Sequence, residues 1–355
     1  VVDTRSKTQF LESIKTEINE KLPKAEIKDL CDFADEFFLS SFVGEFEGRR
    51  VSDLLGLIVS ARKFIQHYDG NGAKVAIFDP NLEEHGWQSS HTTLMIMQKN
   101  MPFIVDSLRM TLASREVKTH TIQYASFQID RDKKGKLKTL KAQKHKAHDA
   151  STGEGLVFIE VDRHTDDASK KSLEECIIAV LDDVEETVND YSVMQDKTKQ
   201  IRQQLESLKS IKGKQSFDDS EITETLEFLD WLAKDHFAFL GFADLEIQDS
   251  KTIHKMVPVK GSELGIIKSH PEQIEPIDFK KLTAKTKNAI LNSQLITFAK
   301  APERSTVHRP AYPDCIAIKR INDKGEIIGE HCFYGLYTAK AYTQSPNEIP
   351  ILRRK

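Results

Sequence analysis

The sequence predicts an α+β protein in three parts: a helical N-terminal segment over 1–70, a ferredoxin-like βαββαβ domain over 71–212 and a second α+β domain, mainly antiparallel sheet, over 213–355. Three patterns carry this prediction. Apolar residues recur at helical spacing through the first 68 positions. From Ala73 the period shifts to short strands alternating with helices, and after His236 aromatic and aliphatic residues alternate as in sheet.

Phe10, Leu11, Ile14, Ile18 and Leu22 mark a first helix, which Pro23 interrupts, and Ile27, Leu30, Phe33, Ala34, Phe37 and Phe38 mark a second. A third is expected over 43–68, ending at Asp69-Gly-Asn-Gly72, residues that tolerate backbone shapes others avoid. Lys74–Phe78 and Thr93–Gln98 read as strands. The run from His91 to Ser107 then has the form of a strand turning sharply into a helix, with Asn100 as the expected cap and Pro102 in the first helical turn. Strands over 119–129 and 155–161 follow, joined by a Lys- and Gly-rich spacer expected to be a mobile loop, and a helix is expected over 172–188. Strand, helix, strand, strand, helix is the ferredoxin-type order, although no closing strand is evident. A helix over 191–211 leads to a joint at 212–217. The next helix is capped by Asp218, with Glu221 completing a capping box, and strands are expected over 236–247, 295–300, 314–320 and 329–338, with a hairpin turn at Asp323-Lys-Gly325. A short helix is expected over 279–291.

A length of 355 residues exceeds one ordinary core, and 39% hydrophobic with 30% charged residues describes globular units with solvated surfaces. A net charge of -4 argues against general affinity for nucleic acid or anionic membrane. No apolar run is long enough to span a bilayer, and no signal-peptide pattern opens the chain. Cys31, Cys176, Cys315 and Cys332 are far apart in apolar surroundings, reading as reduced core residues of a cytoplasmic protein. The chain starts without methionine and stops at Arg353-Arg-Lys355 before another element is completed, which suggests a processed or truncated polypeptide.

Neither a Gly-x-Gly-x-x-Gly loop nor a phosphate loop is present, so no dinucleotide site is expected in this chain. His145 and His148 lie among lysines that would repel a metal ion, and no cysteine or histidine is paired with an oriented acid, so no catalytic or metal site is expected. Two polar groups stand out. Asp106, Ser107 and Arg109 begin the helix after Asn100, where open amides favour an anion; an amino-acid carboxylate fits there, with Asn100 or Asp106 receiving its ammonium, though the plainer role is to stabilise the helix start. Arg304, His308 and Arg309 form a polar knot between strands, suited to an anion or to a domain contact, with Pro310 expected to aim Arg309 outward.

Met101-Pro-Phe-Ile-Val-Asp-Ser107, Trp231-Leu-Ala-Lys-Asp-His-Phe-Ala-Phe-Leu-Gly-Phe242, Arg304-Ser-Thr-Val-His-Arg309, Gly335-Leu-Tyr-Thr338 and the stretch from Ser345 to Lys355 together resemble the N-terminal regulatory portion of the large bacterial NAD-specific glutamate dehydrogenases. The departure is at Lys99-Asn100, where that family commonly carries an acidic pair. The resemblance implies ACT-like βαββαβ domains, which often pair and bind amino acids at their interfaces, ahead of a distant catalytic region. It implies that the second domain is also a candidate ACT-like unit, that NAD serves the complete enzyme and not this segment, and that the partners are the downstream catalytic region, further copies of the chain and an amino-acid effector. Glutamate oxidation to 2-oxoglutarate and ammonia is the activity implied for the whole. A purely structural oligomerisation module and a freestanding amino-acid-binding regulatory protein are the alternatives.

Overall fold

The computed structural model describes residues 4–39, 43–46, 48–141, 153–208, 217–249, 254–274, 276–288, 290 and 294–354. Two compact units divide the chain, Val1–Asp182 and Asp183–Lys355, against the expected joints at 70/71 and 212/213.

In the first unit, α1 (Thr4–Lys21), α2 (Lys24–Phe37) and α3 (Val51–Phe64) precede the sheet. The third helix is shorter than its 43–68 expectation: residues 43–46 form a separate 3-10 turn, and the helix stops at Phe64 because Ile65 caps it and His67 is already bridged to Lys136. The strands are β1 (Lys74–Phe78), β2 (Thr92–Lys99), β3 (Thr119–Arg131), β4 (Leu137–Lys141) and β5 (Glu154–Val161), in the antiparallel order β1-β2-β5-β3-β4. A short helix, α4 (Leu82–His85), lies between β1 and β2. The helix α5 (Ile104–Ser114) joins β2 to β3, and α6 (Asp167–Asn189) follows β5.

This is the expected ACT-like α+β arrangement, with one substitution of parts. The edge place beside β2, which a closing strand after α6 would take, is held by β1, supplied from ahead of the motif. The expected mobile spacer over 130–153 is also corrected in part: β4 forms a hairpin with β3, and residues 142–152, including the histidines His145 and His148, lie outside the described residues.

One core joins helices and sheet. Ile14, Ile18, Phe33, Phe37, Leu54 and Ile58 pack with Met95, Met97, Phe127 and Phe158, and the Phe33 and Phe127 rings stack 5.2 Å apart. The alternate residues Leu94, Ile96, Val157 and Ile159 are buried too. Burial on both faces explains why β2 reads as a continuous apolar run. Where α3 meets the loop before β2, Gly56 leaves room for Trp87: a Cβ there would sit 2.5 Å from the Trp87 Cβ. Trp87 is held, buried, by its indole N–H on the Ser60 hydroxyl at 3.0 Å. Gly56→Ala should therefore lower stability despite a helix-propensity gain of about 1 kcal/mol, because overpacking opposes it by about 1–3 kcal/mol; a urea denaturation midpoint above wild type would contradict this.

The second unit begins within α6 and continues with α7 (Tyr191–Leu208) and α8 (Asp219–Trp231), whose Asp218 cap accepts from the Glu221 N–H at 2.7 Å as expected. Its antiparallel sheet contains β6 (Phe237–Asp249), β7 (His254–Pro258), β8 (Leu264–Gly265), β9 (Ile277–Asp278), β10 (Ile296–Lys300), β11 (Asp314–Ile321) and β12 (Ile327–Tyr337). The order is β10-β11-β12-β6-β7-β9, with β8 against β6. The mainly antiparallel sheet is as expected, but this order of adjoining meanders departs from the ACT-like one considered for this unit. Residues 279–281 form a 3-10 turn and Ala284–Asn288 a one-turn helix, in place of the helix expected over 279–291. Met194, Ile201, Leu226 and Leu229 pack on Phe242, Ile316, Ile318 and Phe333, which closes the core.

Candidate functional site

The β2–α5 junction is built differently from its sequence reading. Asn100 does not cap α5, and Pro102 precedes the helix. The cap is Phe103, held in the left-handed region at φ 73, a sharp reversal that separates Asn100 from the helix start. Asn100 instead donates its backbone N–H to Gly153 O at 2.9 Å, and its side-chain oxygen accepts from the Tyr124 hydroxyl. Burial pushes the Tyr124 hydroxyl up to about 12, which keeps it a proton donor. Gly155 lies under that ring; a Cβ there would come within 3.0 Å of it. Gln98, buried on β2, has no acceptor for its amide nitrogen among the described residues. Asp106 and Arg109 are exposed on α5 while Ser107 is buried, so the helix separates these three instead of gathering them with Asn100.

The second polar group lies in the other unit. Arg304 is exposed, 5.5 Å over the Tyr312 ring. His308 takes a left-handed conformation at φ 73. Arg309 does not project outward: it is half-buried, donates to Tyr337 O at 2.8 Å and stands 5.6 Å over the Tyr342 ring. The stretch over 231–237 meets the same place, since Phe237 pairs with Tyr337 and the Trp231 indole donates to Gln344 at 2.7 Å. Asp235, at φ 62, turns α8 into β6, and the His236 ring stacks on Trp231 at 4.4 Å. Three separated motifs thus form one corner of the second unit.

Behind the knot, Thr306 donates to Asp183 at 2.7 Å, and the same carboxylate stands 2.9 Å from His270 Nε2. His270 Nδ1 faces Glu272 at 3.0 Å. With carboxylates at both nitrogens the ring is an imidazolium, and the Asp183 hydrogen bond leads in raising its pKa to about 9.

A further polar wall in the first unit escaped the sequence reading. Glu160 is fully buried on β5 and accepts both arms of the Arg49 guanidinium, at 3.0 Å for the longer, and the Ser89 hydroxyl at 2.8 Å. The signal available was a lone carboxylate in the apolar run 156–161. Among the described residues no His, Cys, Asp or Glu group forms a metal-binding cluster, and no helix is long and apolar enough to cross a membrane.

A five-stranded antiparallel sheet whose strands alternate with α5 and α6 in chain order, with a polar turn at the end of its inner strand β2, defines an ACT-like domain. Residues 33–177 match the family model described as glutamate dehydrogenase, ACT1 domain. The chain is 33% identical over 355 residues to an NAD-specific glutamate dehydrogenase of Halomonas elongata, covering 100% of this chain and 22% of that protein. It is also 33% identical over 350 residues to one of Pseudomonas aeruginosa, covering 99% of this chain and 21% of that protein. The chain therefore carries an N-terminal ACT-like domain matching the NAD-specific glutamate dehydrogenase family, and it spans about a fifth of the length of the curated relatives it matches.

Proposed function

We propose that this chain is a non-catalytic regulatory and assembly region of a large NAD-dependent glutamate dehydrogenase, which in full converts L-glutamate, NAD and water to 2-oxoglutarate, ammonia and NADH in the cytoplasm. Its partners are then the catalytic region of the same polypeptide and further copies of it, and its effector is an amino acid. The ACT-like sheet over the matched residues 33–177 is the observation that supports this reading. The β2–α5 junction supplies recognition chemistry suited to an amino acid: the buried Gln98 amide offers a donor to a carboxylate oxygen, and Asn100 is fixed by Tyr124. Asp106 and Arg109 sit at the same end of the domain as exposed charges able to meet a ligand or another subunit. Arg304, His308 and Arg309 are assigned to a surface contact in the second unit.

The test uses the complete polypeptide. NADH formation is followed while single amino acids are added, in wild type and in Gln98→Leu and Asn100→Ala. The expected result is an unchanged basal rate with an amino-acid response weakened on the order of tenfold in effector concentration, the loss of one or two polar contacts. An effector response identical in wild type and variants removes the junction from the reading. If no amino acid alters either rate or subunit association, the sensing role fails.

A further inference from the structure

At the end of the sheet opposite the β2–α5 junction lies a cleft of about 760 Å³, within the size of small-molecule sites. Its walls come from four separate stretches: Arg49 and Arg50 ahead of α3, Pro80 to Leu82 after β1, Trp87 to His91 before β2, and Arg163 after β5. Leu54, Leu57 and Trp87 give it an apolar floor, and the guanidiniums give it a positive rim.

The arginines are held in different ways. Arg49 is locked by Glu160 and also donates to Thr121 at 3.1 Å. A buried ion pair is a weak source of stability compared with apolar packing; here it fixes one guanidinium at the cleft wall. Arg163 is exposed, donates to Ser89 O at 2.9 Å and has no hydrogen-bonded carboxylate among the described residues. Ser89 thus ties the two together, its hydroxyl on Glu160 and its carbonyl under Arg163. Arg50 pairs with Asp53 at 2.8 Å yet remains 60% exposed, so its outer face is open to the cleft. It also occupies the N-cap of α3 without a side-chain cap bond, leaving the positive end of a 14-residue helix facing the same space. Asp53 and Glu160 do not offset three guanidiniums, Asp79 near Arg163 is itself paired with Lys170 at 2.7 Å, and His91 adds a further nitrogen group at the rim.

We propose that this cleft binds a small organic oxyanion, its carboxylate or phosphate group held between Arg163, Arg50 and the first turn of α3, and its carbon body over Leu57 and Trp87. Guanidinium forks suit both oxyanions, so the two sources are separated by experiment. The site is independent of the junction assigned to an amino acid.

Hydrogen-exchange mass spectrometry on the complete polypeptide reads the cleft locally. Millimolar 2-oxoglutarate and inorganic phosphate are added in separate arms. Slowed exchange over 49–54 and 87–91 in either arm is expected and names the source, and raised salt should weaken it. Arg163→Ala, a surface change, should weaken that protection on the order of tenfold in ligand concentration, and Arg163→Lys less. Asn100→Ala should leave it unchanged. No protection in either arm overturns the proposal, as does protection that Arg163→Ala and Arg50→Ala leave intact or that Asn100→Ala abolishes.

Discussion

Arg49→Ala should destabilise the first unit by about 3–5 kcal/mol, the largest loss expected from any single polar change there. The variant leaves Glu160, fully buried, with only the Ser89 hydroxyl to replace a two-armed guanidinium. Burial pushes the Glu160 carboxyl upward, and in the intact protein the Arg49 hydrogen bonds and charge overcome it, holding the group below its ordinary 4.5. A depressed carboxyl stabilises the fold above its unfolded pKa, and that contribution is lost as pH falls through the folded value. Without Arg49 the burial effect prevails and the carboxyl is protonated more readily, so the difference between wild type and variant should narrow from pH about 7 to pH about 5. Urea denaturation at both pH values checks this. The paired replacement Arg49→Met with Glu160→Leu should recover most of the loss, since no charge is then left buried. An Arg49→Ala protein as stable as wild type at neutral pH would show that the pair contributes nothing.

His270 carries the second large effect. Its proton NMR titration should centre near pH 9 in wild type and move back toward 6.5 in Asp183→Asn, where Thr306 keeps an acceptor but the ring loses its main counter-charge. A raised folded pKa stabilises below the unfolded value and ceases to do so as pH rises through the folded one. The second unit should therefore lose stability between pH 6.5 and about 9, and Asp183→Asn should flatten that slope. An unaltered titration midpoint in the variant would rule out Asp183 as the cause. The carboxylate is 6% exposed, so solvent screening does not erase the coupling.

Much of the fold was legible from periodicity alone. Phe33, Phe37, Leu54 and Ile58 lie where their helical spacing placed them, and β1 over Lys74–Phe78 coincides with its expected range. The strand β4 was hidden because Leu137 and Leu140 are three apart, a helical interval, and the segment extends only because β3 pairs with it. The start of α5 was misread because capping preference favours asparagine, whereas the chain reverses at Phe103 in a conformation no propensity assigns to phenylalanine. No glycine or proline marks the passage between units, because α6 runs unbroken across Asp182 and Asp183. The site was less legible. Local spacing grouped Asp106, Ser107 and Arg109, yet the helix turns Ser107 inward and the other two to solvent. Arg49 and Glu160, 111 positions apart, become neighbours only through the sheet.

The placement of β1 has a consequence for biosynthesis. In a sheet closed by its last strand, a ribosome must finish the whole motif before the central ribbon gains its outer neighbour. Here that neighbour has already emerged when β2 is made, and Phe78 and Thr93, which face each other, are only a short stretch apart. Sealing this flank is thus a local event that can precede the longer-range pairing of β2 with β5. The nascent polypeptide shields a run of bare amide and carbonyl groups early, at the stage when they would otherwise recruit neighbouring chains.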